Sequence, residues 1–371
     1  MRTTAAVTEG PKGPFVLREV ELVPPRPDEV VVRIHASGLC HTDLAHRDGW
    51  GALSYPAVLG HEGAGVVVAT GADVRRVAPG DRVVLSYYSC RTCANCRRDR
   101  PAYCTQTFAG NFAGTRPDGS RTVSLDGQNI ASAFFGQSSF ALHALANINN
   151  VVKVADDLPL CHLAPLGCGF QTGAGAILNS LGLQLGQSVA VFGTGAVGMA
   201  AIMAAKAVGA HSIVAVDLDD SRLALASELG ADQLFRGDQP DLAKAIRRAT
   251  RGGVDGAVEC VGSAQVLQTA FAALAVGGAC VMLGLPPRGA QMSVDMGALL
   301  SGRRLIGSIE GDADPLIFIP QLMDMHRAGR FPFERLLRFY PFEAINEAAA
   351  DMESGQVIKP VLLMPEDQAY G

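Results

Sequence analysis

The sequence predicts an α/β protein with a parallel sheet, preceded by a segment of all-β character. A strand–turn–helix–strand pattern runs from Val189 to Asp217. Strand and helix patterns keep alternating after it, with strands at 254–262, 278–284 and 304–309, which is typical of a parallel sheet. Before it, apolar runs such as Glu29–His35 are separated by Pro- and Gly-rich turns, as in sheets of short strands.

The stretch from Val189 to Asp217 carries a dinucleotide-binding pattern. Gly193, Gly195 and Gly198 form a G-x-G-x-x-G turn between the first strand and the helix. These glycines allow a tight turn, a close approach of the backbone to a pyrophosphate and packing of helix on strand. The helix N-terminus offers free N–H groups to phosphates, and Asp217 lies where ribose hydroxyls need an acceptor. We predict a dinucleotide site, and the alternative is a buried or membrane-spanning apolar segment.

The rest of the chain is divided by composition. Residues 105–133 are polar and Gly-rich, which predicts an irregular surface loop, and 134–140 has β character. Gly167–Gly173 enters a helix of small residues at a natural hinge between domains. Helices are predicted at 223–229 and 264–274. From about residue 315, two helices and a strand at 361–364 are expected to return to the first domain.

Length and charge limit the class of protein. A chain of 371 residues suggests two domains, and a net charge of −5 argues against nucleic acid as the main partner. We find no signal peptide and no transmembrane segment in the sequence, so we expect a soluble, cytoplasmic protein without a membrane partner. In such a protein, nine cysteines indicate metal binding or catalysis rather than disulfides.

Four cysteines are closely spaced as C-x2-C-x2-C-x7-C. They are Cys90, Cys93, Cys96 and Cys104. Four thiolates this close together suit one tetrahedral Zn²⁺ with no open position, which is a structural site. Neighbouring arginines, at 91, 97, 98 and 100, favour the thiolate forms. The alternatives are two disulfides, four free thiols or an iron–sulfur cluster.

Three further residues could form a second metal site. Cys40, His61 and Cys168 each lie in a Gly-flanked turn, as site residues often do, but they are too far apart in sequence for spacing to join them. A Cys2His set leaves a fourth position open for water or substrate. The alternative is that any one of them is buried and inert, as we expect for the core cysteines at 161, 260 and 280.

Together these motifs resemble those of the zinc-dependent medium-chain alcohol dehydrogenases over essentially the whole chain. The motifs are Gly38–Asp43, Gly60–Gly63, the four-cysteine segment, Gly167–Gly173, the Gly193 turn, Ala344–Ala348 and Ser354–Lys359. Within the family the sequence is most similar to the aryl-alcohol (benzyl-alcohol) branch. The resemblance implies a GroES-like, β-rich catalytic domain made of residues 1–169 and 312–371, with a structural zinc lobe at about 90–104. It implies a Rossmann NAD-binding domain, with a doubly wound parallel sheet, at 170–311.

The resemblance also assigns roles to site residues. It implies that Cys40, His61 and Cys168 hold a catalytic zinc, that Asp43 orients His61, and that Glu62 sits behind the metal. Thr42 would pass the alcohol proton outward through the cofactor ribose. His46 is the nearest candidate to end this relay, although it follows Cys40 by six residues where some members have five. The positions that match cofactor contacts are His41 and Lys359 at the pyrophosphate and Thr172 at the nicotinamide.

The implied activity is NAD-dependent interconversion of primary alcohols and aldehydes. Zinc would act as a Lewis acid, and the α-hydride would pass to the nicotinamide. Asp217 favours NAD because a carboxylate repels the 2′-phosphate of NADP, although Arg222 nearby could accommodate that phosphate. The alternatives are a formaldehyde-linked dehydrogenase of hydroxymethyl-thiol adducts and a non-catalytic NAD-binding protein. The resemblance suggests a homodimer or homotetramer joined through the Rossmann domains, with 304–309 as a candidate edge.

Three large rings indicate the substrate class. Trp50, Phe134 and Phe135 match pocket-lining positions of the family, and rings pack well against a flat aromatic substrate. Ser86 matches a position that holds a bulky aromatic residue in some members, so a small side chain there would leave room for a ring. We therefore predict aromatic primary alcohols such as benzyl alcohol. The alternative is that the rings are core packing and the pocket admits any apolar alcohol, including terpenoid or long-chain ones.

Overall fold

The computed structural model describes residues 1–365, which divide into two compact units. The first unit contains residues 1–168, 314–320 and the chain from 334 onward, and the second contains 169–313 and 321–333. The boundaries expected from the sequence were 169/170 and 311/312. The structure differs mainly in giving the segment 321–333 to the second unit.

The secondary structure of residues 1–365 is as follows. The strands are β1 (Arg2–Thr8), β2 (Phe15–Leu22), β3 (Glu29–Gly38), β4 (Ala57–Val58), β5 (Glu62–Thr70), β6 (Arg82–Leu85), β7 (Val123–Leu125), β8 (Gln128–Ile130), β9 (His143–Asn147), β10 (Val151–Lys153), β11 (Ser188–Phe192), β12 (Ser212–Asp217), β13 (Gln233–Arg236), β14 (Val254–Glu259), β15 (Leu274–Met282), β16 (Arg304–Gly307), β17 (Leu337–Pro341) and β18 (Lys359–Leu363). The α-helices are α1 (His41–Arg47), α2 (Thr107–Asn111), α3 (Leu160–Leu163), α4 (Gly169–Gly175), α5 (Ala196–Ala207), α6 (Asp220–Leu229), α7 (Leu242–Ala249), α8 (Ala264–Ala272), α9 (Met296–Leu300), α10 (Pro315–Arg327) and α11 (Ile345–Glu353). No helix in this part of the chain is long and apolar enough to cross a membrane.

The first unit is built from β-sheets. One sheet has the order β4-β1-β2-β7-β8, and another has the order β10-β6-β5-β3-β18-β17 with β9 also paired to β3. Strand β3 is buried on both faces. Val30, Val32 and Ile34 belong to one hydrophobic cluster and Val31 to another, because side chains alternate between the faces of a strand.

The C-terminal segment completes a sheet of the first unit. Strand β18 runs antiparallel to β3, with Val361 opposite Gly38 and Leu363 opposite Ala36. Strand β18 therefore begins at Lys359 close to the end of β3, directly before the turn that carries Cys40.

The second unit contains the parallel sheet that the sequence predicts. Its order is β13-β12-β11-β14-β15-β16, and each neighbouring pair is parallel. Numbered from β11, this is the 3-2-1-4-5-6 order of a doubly wound dinucleotide-binding sheet. The helix after the glycine turn packs closely on the sheet, since a Cβ at Gly198 would lie 1.9 Å from the carbonyl oxygen of Gly193. The predicted fold class is confirmed.

Two local expectations are wrong. Residues 105–133 are not an irregular loop, since they contain α2 and the hairpin β7–β8, which turns at Asp126 and Gly127, both with positive φ. Residues 134–140 contain no strand: Phe134–Gly136 is a 3-10 turn, and Ala133 and Phe135 have φ of 57° and 51°. Pairing of β7 with β2 and packing of the phenylalanine rings decide these structures, and the local sequence contains neither.

Candidate metal centres and the cofactor turn

The first unit brings Cys40, His61 and Cys168 together. Cys40 is the N-cap of α1, His61 precedes β5, and Cys168 follows the 3-10 turn at Ala164–Gly167. Their ligand atoms, with a carboxylate oxygen of Glu62, all lie within 4.8 Å of one another. Two thiols and one imidazole at this separation are a donor set that suits Zn²⁺.

Asp43 fixes the imidazole of His61. Its Oδ1 accepts hydrogen bonds from His61 Nδ1 at 2.9 Å and from Gly60 N at 3.0 Å, and its Oδ2 accepts one from Cys40 N at 3.1 Å. Because a carboxylate accepts, His61 carries its proton on Nδ1 and presents the Nε2 lone pair. That Nε2 is buried and has no hydrogen-bond partner in the described part of the chain. An orphaned nitrogen beside two thiols fits a metal ligand.

The charges around the thiols favour an anionic site. The hydrogen bond with Cys168 and the charge of Lys359 hold the pKa of Cys40 well below its ordinary value, against the opposing effect of burial. The lowered pKa favours the thiolate of Cys40, which is the form that binds metal, so the electrostatics agree with the clustering of the ligand atoms.

Glu62 and Lys359 form a buried ion pair beside this site. Lys359 Nζ lies 2.8 and 2.9 Å from the two carboxylate oxygens of Glu62 and donates to the carbonyl of Leu39 at 3.1 Å. Their side chains are 2% and 0% exposed. The pair leaves no room at Gly38, where a Cβ would lie 2.0 Å from Glu62 Oε2. The pyrophosphate contact expected for Lys359 stays a prediction, and the partners that its ammonium has here lie in the first unit.

The four closely spaced cysteines also converge. The ligand atoms of Cys90, Cys93, Cys96 and Cys104 lie within 4.8 Å of one another, and all four cysteines are free. Backbone N–H groups donate to two of the sulfurs, from Cys93 to Cys90 and from Cys90 to Cys104, both at 3.3 Å. Hydrogen bonds from the backbone at Cys96 and Thr105 lower the pKa of Cys93 to about 5. The arrangement fits a closed tetrahedral metal site and not two disulfides.

Arg91, which was expected to favour the thiolates, forms an ion pair with a carboxylate. Arg91 donates two hydrogen bonds to the carboxylate of Asp314, at 2.6 and 2.9 Å. This ion pair ties the four-cysteine segment to the return of the chain into the first unit.

Two of the three rings expected in a pocket contact His61, and the third, Trp50, contacts His46. Phe135 stacks on the His61 ring at a centroid distance of 4.3 Å, and Phe134 meets its edge at 5.7 Å. Another ring, Phe112, contacts Phe135 at 5.1 Å and was not predicted, because it lies in the segment expected to be a loop. Ser86 is buried, and its hydroxyl donates to the carbonyl of Gly167 at 2.6 Å, directly before Cys168.

His46 is buried among aromatic rings. Its ring is 1% exposed and contacts Trp50, Phe112 and Phe134 at centroid distances of 5.3, 5.4 and 4.9 Å. Its Nδ1 lies 2.8 Å from the carbonyl oxygen of Thr42, one helical turn earlier. The relay role expected for His46 stays a prediction.

Comparison with known proteins identifies the family. Residues 26–156 match the model of the alcohol dehydrogenase GroES-like domain, and residues 196–325 match that of the zinc-binding dehydrogenase. The geraniol dehydrogenase of Castellaniella defragrans is 48% identical over 362 residues, which are 97% of each chain. This chain belongs to the zinc-dependent medium-chain alcohol dehydrogenases. The prediction of this family is confirmed.

Two solved structures extend the likeness to the whole fold. An alcohol dehydrogenase zinc-binding domain protein from Burkholderia ambifaria is 49% identical, with a TM-score of 0.96 and coverage of 98% of this chain and 99% of that one. Benzyl alcohol dehydrogenase from Acinetobacter calcoaceticus is 41% identical, with a TM-score of 0.95 and the same coverage. The chain is thus an oxidoreductase of alcohols that uses zinc and a pyridine nucleotide, as its family does.

The dinucleotide turn of this alcohol dehydrogenase is held by Asp217. Its Oδ2 accepts from the backbone N and the hydroxyl of Thr194 at 2.6 and 2.7 Å, and its Oδ1 accepts from the N–H groups of Leu218 and Asp219 at 2.8 and 3.1 Å. Gly193 has a φ of 88°, and no atom would contact a Cβ at Gly195, the N-cap of α5. The sequence did not indicate Thr194.

The remaining cofactor residues are found in both units. Arg222 lies in the first turn of α6, and its backbone N donates to Asp219 at 3.1 Å. Thr172 is half-buried in α4, with its hydroxyl 3.4 Å from a carboxylate oxygen of Glu310 in the second unit. His41 is the exposed first residue of α1 in the first unit, and Thr42 follows it half-buried. Their roles toward a cofactor stay predictions.

Proposed function

We propose that this alcohol dehydrogenase interconverts aromatic primary alcohols and aldehydes with NAD. The observation that carries the proposal is the stacking of Phe135 on the metal-binding imidazole of His61 at 4.3 Å. A substrate held by a metal on Cys40, His61 and Cys168 would lie near these rings, and offset or edge contacts between rings would favour a flat, unsaturated substrate. The benzyl alcohol dehydrogenase with a TM-score of 0.95 supports the same class.

Cys40, His61 and Cys168 are the residues proposed to hold the catalytic zinc. Bound there, zinc supplies Lewis-acid polarisation of the alcohol oxygen, and NAD supplies the acceptor for the α-hydride. Asp43 keeps the His61 proton on Nδ1, so that Nε2 remains a ligand. The Glu62–Lys359 pair lies next to the thiols and holds a positive charge close to them. Thr42 is proposed to accept the alcohol proton.

Cys90, Cys93, Cys96 and Cys104 are proposed to hold a second, structural zinc. Four sulfurs with backbone donors and no open position support a role in folding rather than in chemistry. A site of this kind contributes its metal-binding free energy to the stability of the fold.

NAD rather than NADP is proposed because of Asp217. The carboxylate follows the end of β12 beside the glycine turn, and a second negative charge on the ribose would be repelled there. Arg222 is the opposing consideration, since its side chain could meet a phosphate.

The proposed oligomer is a dimer or tetramer joined through the second unit. Strand β16 ends the order of its sheet, and Met296 and Leu300 of α9, shortly before it, are 79% and 91% exposed. Exposed apolar side chains beside an unpaired strand edge are typical of a surface that pairs with another chain. Light scattering of the purified protein measures this state directly.

A second substrate class deserves equal testing, because the relative with 48% identity is a geraniol dehydrogenase. Geraniol shares with benzyl alcohol an unsaturated carbon next to the carbinol but lacks a ring. The deciding experiment measures kcat/KM of the zinc-loaded enzyme with NAD for benzyl alcohol, cyclohexylmethanol, geraniol, hexanol and ethanol. The aromatic proposal requires benzyl alcohol to exceed cyclohexylmethanol and geraniol. A kcat/KM for geraniol above that for benzyl alcohol would support the terpenoid function. Equal values of kcat/KM for ethanol and benzyl alcohol would contradict a wide apolar pocket.

A further inference from the structure

His46 and His61 are arranged alike on either side of Phe134. Phe134 meets the edge of both imidazole rings, at centroid distances of 4.9 Å for His46 and 5.7 Å for His61. Each imidazole has its Nδ1 tied to an oxygen acceptor, Thr42 O for His46 and Asp43 Oδ1 for His61. Each has a buried Nε2 without a hydrogen-bond partner in the described part of the chain. Metal binding accounts for the second of these nitrogens and leaves the first unexplained.

The hydrogen bond to Thr42 decides which proton His46 carries. A carbonyl oxygen only accepts, so Nδ1 must be the donor, and a neutral ring then presents a lone pair at Nε2. Burial lowers the pKa of His46, which favours the neutral ring. A buried acceptor without a donor is costly to the fold, so a polar partner is expected at this nitrogen in the working enzyme.

Two phenylalanine rings and a glycine lie around the imidazole of His46. Phe112 lies flat against the His46 ring, with an interplanar angle of 7°, and Phe134 closes another side. Gly51 approaches the ring edge, where an added Cβ would lie 3.2 Å from Nε2 and 3.0 Å from Cδ2. Any side chain at position 51 would crowd this nitrogen.

We propose that His46 Nε2 accepts a hydrogen bond from a hydroxyl group on the ring of the substrate, so that the preferred alcohols are hydroxybenzyl alcohols. The inference rests on the proposed function, since it names the substituent that the aromatic substrate carries. The reacting oxygen lies at the His61 side of Phe134 and the ring hydroxyl at the His46 side. Phe134, which contacts both imidazoles, provides the apolar contact for the substrate ring in this proposal.

The test compares substrates of equal shape. The kcat/KM of the zinc-loaded enzyme with NAD is measured for meta- and para-hydroxybenzyl alcohol, each against the benzyl alcohol that carries a methyl group at the same position. A net hydrogen bond at Nε2 predicts a preference of roughly tenfold for one of the hydroxyl compounds. If kcat/KM is the same for the hydroxyl and the methyl compound in both pairs, the proposal is overturned, because Nε2 then accepts no hydrogen bond from the substrate.

Two variants assign any preference to this nitrogen. His46→Leu removes the acceptor, so the ratio of kcat/KM between each hydroxyl compound and its methyl counterpart should lose its preference for the hydroxyl compound, whatever the change in absolute turnover. Gly51→Ala retains the imidazole and its bond to Thr42 but places a methyl group against Nε2, so the preference should fall there too. A hydroxyl preference that survives in His46→Leu overturns the assignment to His46. A preference kept in Gly51→Ala overturns the assignment to Nε2, because the added methyl group lies against that nitrogen.

A binding measurement keeps this test independent of turnover and of the folding of variants. Trp50 is the single tryptophan of the chain and contacts the His46 ring at 5.3 Å, so its fluorescence reports binding beside His46. Titration of the zinc-loaded wild-type protein should give tighter binding for a hydroxyl compound than for its methyl counterpart. Equal affinities overturn the proposal. Failure of the proposed function is recognised separately, as absence of turnover with every benzyl alcohol.

Discussion

One carboxylate oxygen, Oδ1 of Asp43, lies 2.9 Å from Nδ1 of His61 and receives the backbone N–H of Gly60 at 3.0 Å. The same side chain also caps α1 at Cys40, through Oδ2. A single buried residue thus sets the position of two of the three proposed metal ligands.

Replacing Asp43 with asparagine should weaken zinc binding. The amide can no longer hold the proton of His61 on Nδ1 by charge, and loss of a group that supports a ligand typically lowers metal affinity or activity by roughly 10- to 100-fold. Competition with a chelator, followed by zinc content and turnover, measures the effect. Retention of wild-type zinc affinity and turnover would show that Asp43 is only a helix cap.

The four-cysteine segment predicts a stability effect that is separate from catalysis. Cys93→Ser leaves an incomplete shell, so bound zinc should fall and the melting temperature should drop, because structural zinc contributes to folding. Cys161→Ser is the matched control, since Cys161 is buried outside both clusters. Normal melting of Cys93→Ser with half the zinc lost would show that the segment does not need its metal.

The local and the distant parts of the site differ in how far the sequence predicts them. The glycine turn with Asp217 and the segment Cys90–Cys104 follow from spacing alone, because their residues meet through local geometry. Cys40, His61 and Cys168 could be joined only through resemblance to a family. The pairing of Lys359 with Glu62 was not predicted, because it depends on β18 lying beside β3, a register that spacing does not encode.

Removal of the charge at Lys359 should make stability depend on pH. Burial raises the pKa of Glu62 and Lys359 opposes this, so in Lys359→Met the pKa of Glu62 should rise further. A raised carboxyl pKa means that stability is present at low pH and is lost as pH rises through that pKa. We expect the variant to lose about 3–5 kcal/mol near neutral pH and to recover part of it under acidic conditions.

The control for the ion pair is the double variant Lys359→Met with Glu62→Gln. It removes both charges, so it should be more stable near neutral pH than Lys359→Met. Its stability should not rise under acidic conditions as that of Lys359→Met does. Thermal or urea unfolding at several pH values gives the comparison. Equal pH profiles for Lys359→Met and wild type would contradict the expected role of the pair.

Cofactor choice is predicted from Asp217. The wild-type enzyme should have a higher kcat/KM with NAD than with NADP. Asp217→Asn removes the negative charge and keeps an amide oxygen for the N–H and hydroxyl of Thr194, so it should shift the ratio toward NADP. Some loss of stability should accompany the shift, because the amide NH2 faces the N–H groups of Leu218 and Asp219. The idea fails if wild type uses NADP as well as NAD.

The last prediction concerns the ring that stacks on His61. Phe135 has a φ of 51°, so leucine at this position is strained no more by the backbone than phenylalanine is, and it fills similar space. Phe135→Leu removes the aromatic face 4.3 Å from the imidazole. An aromatic pair adds about 0.5–1.5 kcal/mol beyond the burial of area, so kcat/KM for benzyl alcohol should fall several-fold relative to that for hexanol. Zinc content serves as the control, because the three ligands are unchanged. If benzyl alcohol and hexanol lose activity equally, Phe135 supports the fold of the site and does not select rings, and the preference must come from other walls of the pocket.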